Sequence, residues 1–208
     1  MKNTIIKDAI ALTIITLVSG ALLGAAYDIT KGPIEQAEYN KKQKAYQAVF
    51  EEAVAFESNE ELQAEATSKE IFADGVTGAY ISEILEAKNE AGELLGYVMS
   101  FASKEGYGGE ITISMGVDLT GTITGLQVLT ANETAGLGAK CKDEEFASQF
   151  TGIQSSMISY TKTGKTSPDE IDAIAGATIT TNAVTKAVNN ALAFVYNYTE
   201  VAGVGANE

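Results

Sequence analysis

The chain of 208 residues has no histidine, no tryptophan and a single cysteine, Cys141. Without histidine it cannot form a His-ligated metal or haem site, and it has no imidazole to act as a general base. One cysteine permits neither an intramolecular disulfide nor an iron–sulfur cluster held by this chain alone. These absences exclude His-dependent catalysis and the common Cys-ligated centres.

Positive charge is also scarce, because 14 basic residues face 28 acidic ones and the net charge is −14. An acidic surface argues against nucleic acid as a partner and against charge-driven binding to anionic lipid. A chain of this length can hold one domain with a sizeable core and an appendage.

The N-terminal region contains a long uncharged stretch. Residues 9–27 carry no charged side chain and are mostly apolar. A helix of this length rises about 28 Å, which is close to the hydrocarbon thickness of a bilayer. The pattern predicts a transmembrane helix at 9–27 behind a short polar segment, 1–8. A cleaved signal peptide is the alternative, since residues 24–26 are small, but the length of the apolar run favours retention.

The region 28–56 is predicted to be a linker followed by a helix. Gly32 and Pro33 predict a short linker at 28–33, and from Ile34 to about Phe56 small and apolar residues recur at helical spacing. The acidic, polar segment 57–69 is typical of a loop or a frayed helix.

The next part of the chain has the alternation typical of strands. Apolar and polar residues alternate in Leu94–Phe101, Ile111–Val117 and Ile123–Leu129, a further strand is expected near Tyr80, and Asp118–Gly121 supplies a turn. Helical patterns follow, the last at Ala183–Tyr198. We therefore predict an α+β domain at 57–208, with an antiparallel sheet and packed helices.

The stretch Asp172–Asn182 precedes the last helix. Gly176 breaks the local structure, and Thr178, Thr180, Thr181 and Asn182 are residue types that favour helix N-caps. A helix start presents free N–H groups and a partial positive charge, which together suit a phosphate. On local chemistry alone, an ordinary capped helix after a tight turn is the alternative.

Two other glycine-rich loops have the composition of ligand contacts. The first, Glu105–Gly109, combines three glycines with Tyr107, whose ring can stack on an aromatic ligand, although such a loop can also simply turn between strands. The second, Asn132–Lys140, offers the hydroxyl of Thr134, the apolar side chain of Leu137 and two glycines that allow close approach.

Together these elements resemble a known family. The pattern Asp-x-x-x-Gly-Ala-Thr resembles the flavinylation motif of the FMN-binding domains in the RnfG and NqrC subunits of ion-pumping membrane oxidoreductases. The Gly-aromatic-Gly-Gly and Glu-Thr-x-Gly-Leu-Gly loops resemble the same family and occur in the family's order. Two residues depart from it: Ala175 stands where Ser or Thr is usual, and Ala135 where Pro is usual.

The resemblance implies that FMN is bound covalently, through a phosphoester to Thr178 that a separate flavin transferase installs. It implies a set of further cofactor-binding residues and neither a catalytic residue nor a metal site. Those residues are Asp172, Gly176, Ala177, Thr180, Glu133, Thr134, Leu137, Gly138 and Tyr107.

The resemblance also implies a role. The chain would be an electron-carrying component of a membrane-bound Rnf-type complex, relaying electrons between ferredoxin and NAD coupled to Na⁺ or H⁺ translocation, with no active site of its own. Residues 1–8 would be cytoplasmic, the flavin domain would lie outside the cytoplasm, and other membrane subunits would be its partners. The alternatives are an NqrC-like component of a Na⁺-translocating NADH:quinone reductase, a stand-alone membrane-anchored flavoprotein for extracellular electron transfer, and an anchored interaction domain without flavin.

Overall fold

The computed structural model describes residues 2–201. The predicted segment 1–8 includes Met1 and the predicted domain 57–208 includes residues 202–208, and both parts lie outside the described residues. The chain divides into two units, Met1–Gln43 and Lys44–Glu208.

The first unit is part of one long helix, α1, which runs from Lys2 to Val49. Its Ile6–Val49 portion is long and apolar enough to cross a membrane, with a mean hydropathy of 2.2 in an 18-residue window that is wholly unburied. Large apolar side chains such as Leu17, Leu22 and Leu23 are exposed. The helix agrees with the predicted span by length and composition. A signal sequence near the N-terminus would share both properties.

The predicted linker at 28–33 is wrong, because α1 continues through Gly32 and Pro33. Proline removes one N–H donor from a helix, which leaves one carbonyl without its usual partner. A helix that is long on both sides of the proline keeps its other hydrogen bonds. The helix also ends at Val49 rather than near Phe56.

The second unit contains a five-stranded antiparallel sheet in which each strand pairs with the next along the chain. The turn predicted at Asp118–Gly121 is present, since the N–H of Gly121 donates to the carbonyl of Asp118 over 3.0 Å. The predicted antiparallel sheet is confirmed, and the strands extend beyond their predicted ends. They are β1 (Ala55–Ser58), β2 (Ala79–Lys88), β3 (Leu94–Gly106), β4 (Gly109–Asp118) and β5 (Ile123–Ala131).

Three helices and a small strand pair complete this unit. The helices are α2 (Glu60–Ser68), α3 (Glu144–Ala147) and α4 (Thr178–Tyr198), and short 3₁₀ turns at Gly138–Lys142 and Ser148–Phe150 flank α3. Strands β6 (Ser159–Thr161) and β7 (Glu170–Asp172) pair in parallel. The α+β class is thereby confirmed.

The segment 57–69 differs from its prediction as a loop or frayed helix, because it contains the end of β1 and all of α2. The side chain of Asn59 caps α2 by accepting from the N–H groups of Glu61 and Leu62. Acidic residues in a first helical turn are stabilised by the helix dipole. The acidic composition was therefore a sign of a helix start.

Helix α4 packs on one face of the sheet and forms the main core with it. Small residues along α4, such as Ala187 and Ala191, are completely buried, as are Leu192 and Phe194. They meet the apolar side chains that alternate along the strands, among them Met99, Phe101, Ile113 and Met115. The long buried stripe fixes the position of α4, including its first turn.

The last turns of α1 belong to this unit and cover the opposite face of the sheet. Tyr46, Val49 and Phe50 pack there in a second apolar cluster, against Leu85, Ala87 and Val98. Gly116 and Gly125 pair across β4 and β5. A Cβ on Gly116 would lie 2.5 Å from the Val49 carbonyl oxygen, and a Cβ on Gly125 would lie 2.9 Å from the Val49 Cα. The folded domain therefore begins near Lys44 rather than at the predicted residue 57.

This packing predicts the minimal stable fragment. A fragment of residues 44–208 is expected to unfold cooperatively in urea, whereas 57–208 should be less stable by several kcal/mol. The shorter fragment loses Tyr46, Val49 and Phe50, and burying one such side chain contributes about 1.5–3 kcal/mol. Free energies of unfolding from urea titrations followed by circular dichroism measure the difference. A 40–208 fragment is the control and should match 44–208, while equal stability of the 44–208 and 57–208 fragments would contradict the packing.

Candidate functional site

A cavity of about 520 Å³ opens where three segments of the domain meet. These are the turn between β3 and β4, the loop after β5, and the first turn of α4. The cavity is lined by Tyr107, Glu133, Thr134, Leu137, Gly138, Gly176, Ala177, Thr178, Ile179 and Thr180. The three stretches singled out in the sequence are thus brought together at one site.

Nine of the ten residues predicted to contact the cofactor line this cavity, and Asp172 does not. Asp172 lies instead in a neighbouring cavity formed with the segment around α3. Ile179 lines the main cavity and was missed by sequence reasoning, although its place between the hydroxyl residues of the motif was a usable signal.

The first turn of α4 has no side-chain cap. Its N-cap residue is Ala177, so the predicted capping by the hydroxyl residues is wrong. The Thr180 hydroxyl donates to Glu133 over 2.7 Å, and the Thr181 hydroxyl donates to the Ala177 carbonyl over 3.1 Å. Because the hydroxyls are used elsewhere, the N–H groups of the first turn remain available to an anion in the cavity.

Thr178 is the first residue of α4 and is half-buried at the cavity wall. Within the described part of the chain its hydroxyl makes no hydrogen bond, unlike the hydroxyls of Thr180 and Thr181. Gly176, two residues earlier, adopts a φ of 74°, a conformation that favours glycine. The turn therefore presents a free hydroxyl beside the positive end of a helix.

Glu133 connects the three segments. One carboxylate oxygen accepts the N–H of Gly108 at the tip of the β3–β4 turn over 3.0 Å, and the other accepts the hydroxyl of Thr180. A Cβ on Gly138 would lie 2.6 Å from the Thr180 oxygen and would also collide with Glu133. Glycine at position 138 is therefore required for the Glu133–Thr180 hydrogen bond.

The charge of the cavity differs from that of a typical phosphate site. Glu133 is the single charged side chain among the lining residues, which include neither lysine nor arginine. Positive potential comes from the uncapped start of α4, which is equivalent to about half an elementary charge. The site therefore suits one phosphate with a low negative charge.

The walls of the cavity are apolar and partly open to solvent. The side chains of Tyr107, Leu137 and Ile179 are 71%, 44% and 55% exposed. Exposed apolar groups around a concave site are typical of ligand contacts, and Tyr107 offers an aromatic face to a planar ring. The arrangement provides a phosphate position at the helix start and an apolar position for a ring.

Cys141 lies in the 3₁₀ turn that follows the loop after β5, and it is fully buried. Burial raises the pKa of its thiol to about 11, and the negative charge of Glu133 adds to the increase. The thiol is therefore a packing group at neutral pH.

Family sequence models match two parts of the chain. The RnfG N-terminal region matches residues 1–49, and the FMN-binding domain matches residues 106–193. The second match contains all ten predicted cofactor-binding residues.

Similar proteins extend the match to nearly the whole chain. The G subunit of the Na⁺-translocating ferredoxin:NAD⁺ oxidoreductase complex of Acetobacterium woodii is 31% identical over 197 residues, which cover 94% of this chain and 93% of that protein. The G subunit of the proton-translocating ferredoxin:NAD⁺ oxidoreductase complex of Clostridium ljungdahlii is 28% identical, with 95% of each chain covered.

A solved structure is also similar in sequence. It is the C subunit of the Na⁺-translocating NADH-quinone reductase of Parabacteroides distasonis, which is 29% identical over 54% of this chain and 59% of that chain, with a TM-score of 0.47.

The bridging role of Glu133 predicts the behaviour of its variants. Glu133→Ala should speed amide exchange at Gly108 and lower the free energy of unfolding by about 1–3 kcal/mol, because two donors lose their acceptor. Glu133→Gln keeps one acceptor oxygen and should fall between wild type and Glu133→Ala. Hydrogen exchange and urea denaturation measure both effects. Glu144→Ala, which changes an exposed carboxylate, is the control. Unchanged exchange at Gly108 in Glu133→Ala would refute the bridge.

The raised pKa of Cys141 predicts low thiol reactivity. At pH 8 the thiolate fraction of a thiol with a pKa of about 11 is roughly a hundredfold below that of an ordinary cysteine. Alkylation of the folded protein should therefore be at least that much slower than alkylation in urea, and it should accelerate as the pH rises towards 11. Similar rates in the folded and unfolded states would show that Cys141 is accessible.

Proposed function

The chain belongs to the RnfG family of FMN-binding subunits, and from this premise we propose that it carries FMN covalently, through a phosphoester to Thr178. The observation that carries the proposal is the position of Thr178. Its free hydroxyl lies in the cavity at the uncapped start of α4, where a phosphate group is favoured.

The charge of the cavity favours a covalent bond over reversible binding. A phosphate monoester carries about −1.5 to −2 charges at pH 7. The lining supplies one negative side chain, Glu133, and no basic one to balance that charge. Esterification to Thr178 leaves a phosphodiester with one negative charge, which the helix N–H groups can accept, and it prevents loss of the cofactor.

The attachment step needs an activated flavin phosphate as a co-reactant, which a flavin transferase supplies. Thr178 would supply the oxygen that bonds to phosphorus, the bond from phosphorus to the donor's leaving group would break, and the hydroxyl proton would pass to that leaving group. The N–H groups at the start of α4 would stabilise the phosphate oxygens. No oxidation or reduction is involved.

The remaining cavity residues would hold the ring system of the cofactor. Tyr107, Leu137 and Ile179 supply apolar contacts, and Thr134 supplies a hydroxyl. When bound, the flavin supplies one- and two-electron redox chemistry. The partial exposure of the apolar walls leaves room for the ring to approach a partner's cofactor.

The role that best accounts for these features is electron carriage within an Rnf-type complex. We propose that the chain relays electrons between ferredoxin and NAD, coupled to translocation of Na⁺ or H⁺, without an active site of its own. Support comes from relatives of matching length that are named as subunits of such complexes, rather than as free flavoproteins.

The proposed location is the cell membrane, with α1 as a single retained span. Residues 1–8 would be cytoplasmic and the flavin domain would lie on the other side of the membrane. A covalent bond has an evident use there, since a flavin lost outside the cytoplasm has no local supply to replace it. The length and hydropathy of α1 support the span.

The attachment is tested by intact mass spectrometry of the full chain made together with a flavin transferase. Wild type should gain the mass of FMN less one water. Thr178→Ala should lose this increment completely because no oxygen remains to esterify. Thr178→Ser is the matched control and should retain the increment, because it keeps the hydroxyl.

An unmodified wild-type chain, beside a known substrate that the same transferase does modify, would contradict covalent attachment. Such a result would favour an anchored interaction domain without flavin. Purification from membranes separates the two redox roles: a component of a complex should co-purify with other membrane subunits, and a stand-alone flavoprotein should not.

A further inference from the structure

The cavity at the start of α4 has a one-sided charge. Among the described residues that line it, Glu133 is the only one with an ionisable acid or base, apart from the phenol of Tyr107. The partial positive charge at the start of α4 is about half an elementary charge, and the proposed phosphodiester, with one full negative charge, exceeds it. With FMN attached, the fixed charges around the cavity are therefore negative in sum.

The carboxylate of Glu133 has a fixed position in the cavity wall. One of its oxygens accepts the N–H of Gly108 over 3.0 Å, and the other accepts the hydroxyl of Thr180 over 2.7 Å. Both donors are neutral, and no salt bridge within residues 2–201 joins Glu133 to a lysine. The carboxylate is therefore held in one place, and no opposite charge compensates it there.

The size of the cavity limits the distance between this carboxylate and a bound ring. The volume is about 520 Å³, and a sphere of that volume is about 10 Å across. A ring system inside the cavity therefore lies within about 10 Å of the carboxylate, whichever wall it contacts. Electrostatic interaction acts over that distance without direct contact, because the site is only partly open to solvent.

We infer that Glu133 holds the redox potential of the flavin at a low value. The inference rests on the proposed attachment of FMN to Thr178. Reduction of a flavin by two electrons and one proton adds one negative charge to the ring, and a nearby carboxylate makes that charge less favourable. Ferredoxins have low potentials, so a carrier between ferredoxin and NAD requires a flavin of low potential as well.

The test is the midpoint potential of the flavin-loaded full chain, measured by anaerobic reductive titration against a reference dye at one fixed pH. Intact mass shows beforehand that each variant carries FMN. Glu133→Gln keeps the size of the side chain and removes its charge. At a fixed applied potential, its ratio of reduced to oxidised flavin should rise about three- to tenfold, the effect of a unit charge at about 10 Å in a partly exposed site. A tenfold rise corresponds to about 30 mV for a two-electron couple.

Two further variants separate the charge of Glu133 from its structural role. Thr180→Val breaks the hydrogen bond to Glu133 but keeps the carboxylate, which then loses a donor that partly offsets its charge. Its potential should therefore not rise, whereas a purely structural effect would raise it as Glu133→Gln does. Glu144→Gln removes an exposed carboxylate that does not line the cavity, so its potential should equal that of wild type.

A matched pair at Ile179 tests the electrostatic effect with the Glu133 bridge intact. Ile179 lines the cavity and is 55% exposed, so a longer polar side chain can be accommodated there. Ile179→Lys adds a positive charge to the lining, and Ile179→Gln is the neutral comparison. The potential of Ile179→Lys should be the higher of the two, because the ammonium favours the added negative charge.

The outcomes separate this inference from the proposed attachment. A wild-type chain that gains no flavin mass overturns the attachment, and the inference with it. Equal potentials in flavin-loaded wild type and Glu133→Gln, equal potentials in the two Ile179 variants, or a rise in Thr180→Val as large as in Glu133→Gln overturn the role of Glu133 and leave the attachment standing. A rise in Glu133→Gln without a rise in Thr180→Val, together with the expected order of the Ile179 pair, establishes that role.

Discussion

The cavity at the start of α4 depends on one carboxylate, that of Glu133. Its two oxygens hold the backbone at the tip of the β3–β4 turn and the hydroxyl of Thr180 in α4, and Glu133 itself belongs to the loop after β5. Three segments that are distant in the sequence are thereby kept around one cavity. The same carboxylate gives the cavity its negative charge, so the residue that assembles the site also makes reversible binding of a phosphate dianion unfavourable.

The fold supplies the rigidity that this arrangement requires. Helix α4 lies against the sheet through completely buried residues such as Ala187, Ala191 and Leu192, so its first turn is fixed with respect to the strands. On the opposite face, Val49 lies against the paired glycines of β4 and β5. The sheet is therefore covered on both faces, and the loops at the ends of its strands remain to form the site. A cofactor held at the first turn of α4 would sit on the most strongly packed helix of the domain.

Much of this could be predicted from the sequence, and the failures have physical causes. Strict alternation along β3, β4 and β5 identified the sheet, because alternation reports burial of one face. Family resemblance identified nine of the ten residues lining the cavity, whereas Ile179 was missed because the motif was interpreted through its small and hydroxyl residues. The prediction of a linker at Pro33 was wrong because it considered only the residues near the proline. The many hydrogen bonds of the long helix outweigh the one that proline removes. The hydroxyls near Thr178 were expected to cap α4, but the Thr180 hydroxyl donates to Glu133, which is distant in sequence, and α4 has no side-chain cap.

We propose that a phosphodiester at the start of α4 joins FMN to Thr178. Phosphorus NMR of the purified flavin-loaded protein tests this most directly, because a phosphate monoester titrates near pH 6 and a diester has no second ionisation. A diester to Thr178 should give one flavin phosphate resonance whose chemical shift stays constant between about pH 5 and pH 8. A resonance that shifts through this range with a midpoint near pH 6 would show a free monoester and exclude the bond to Thr178.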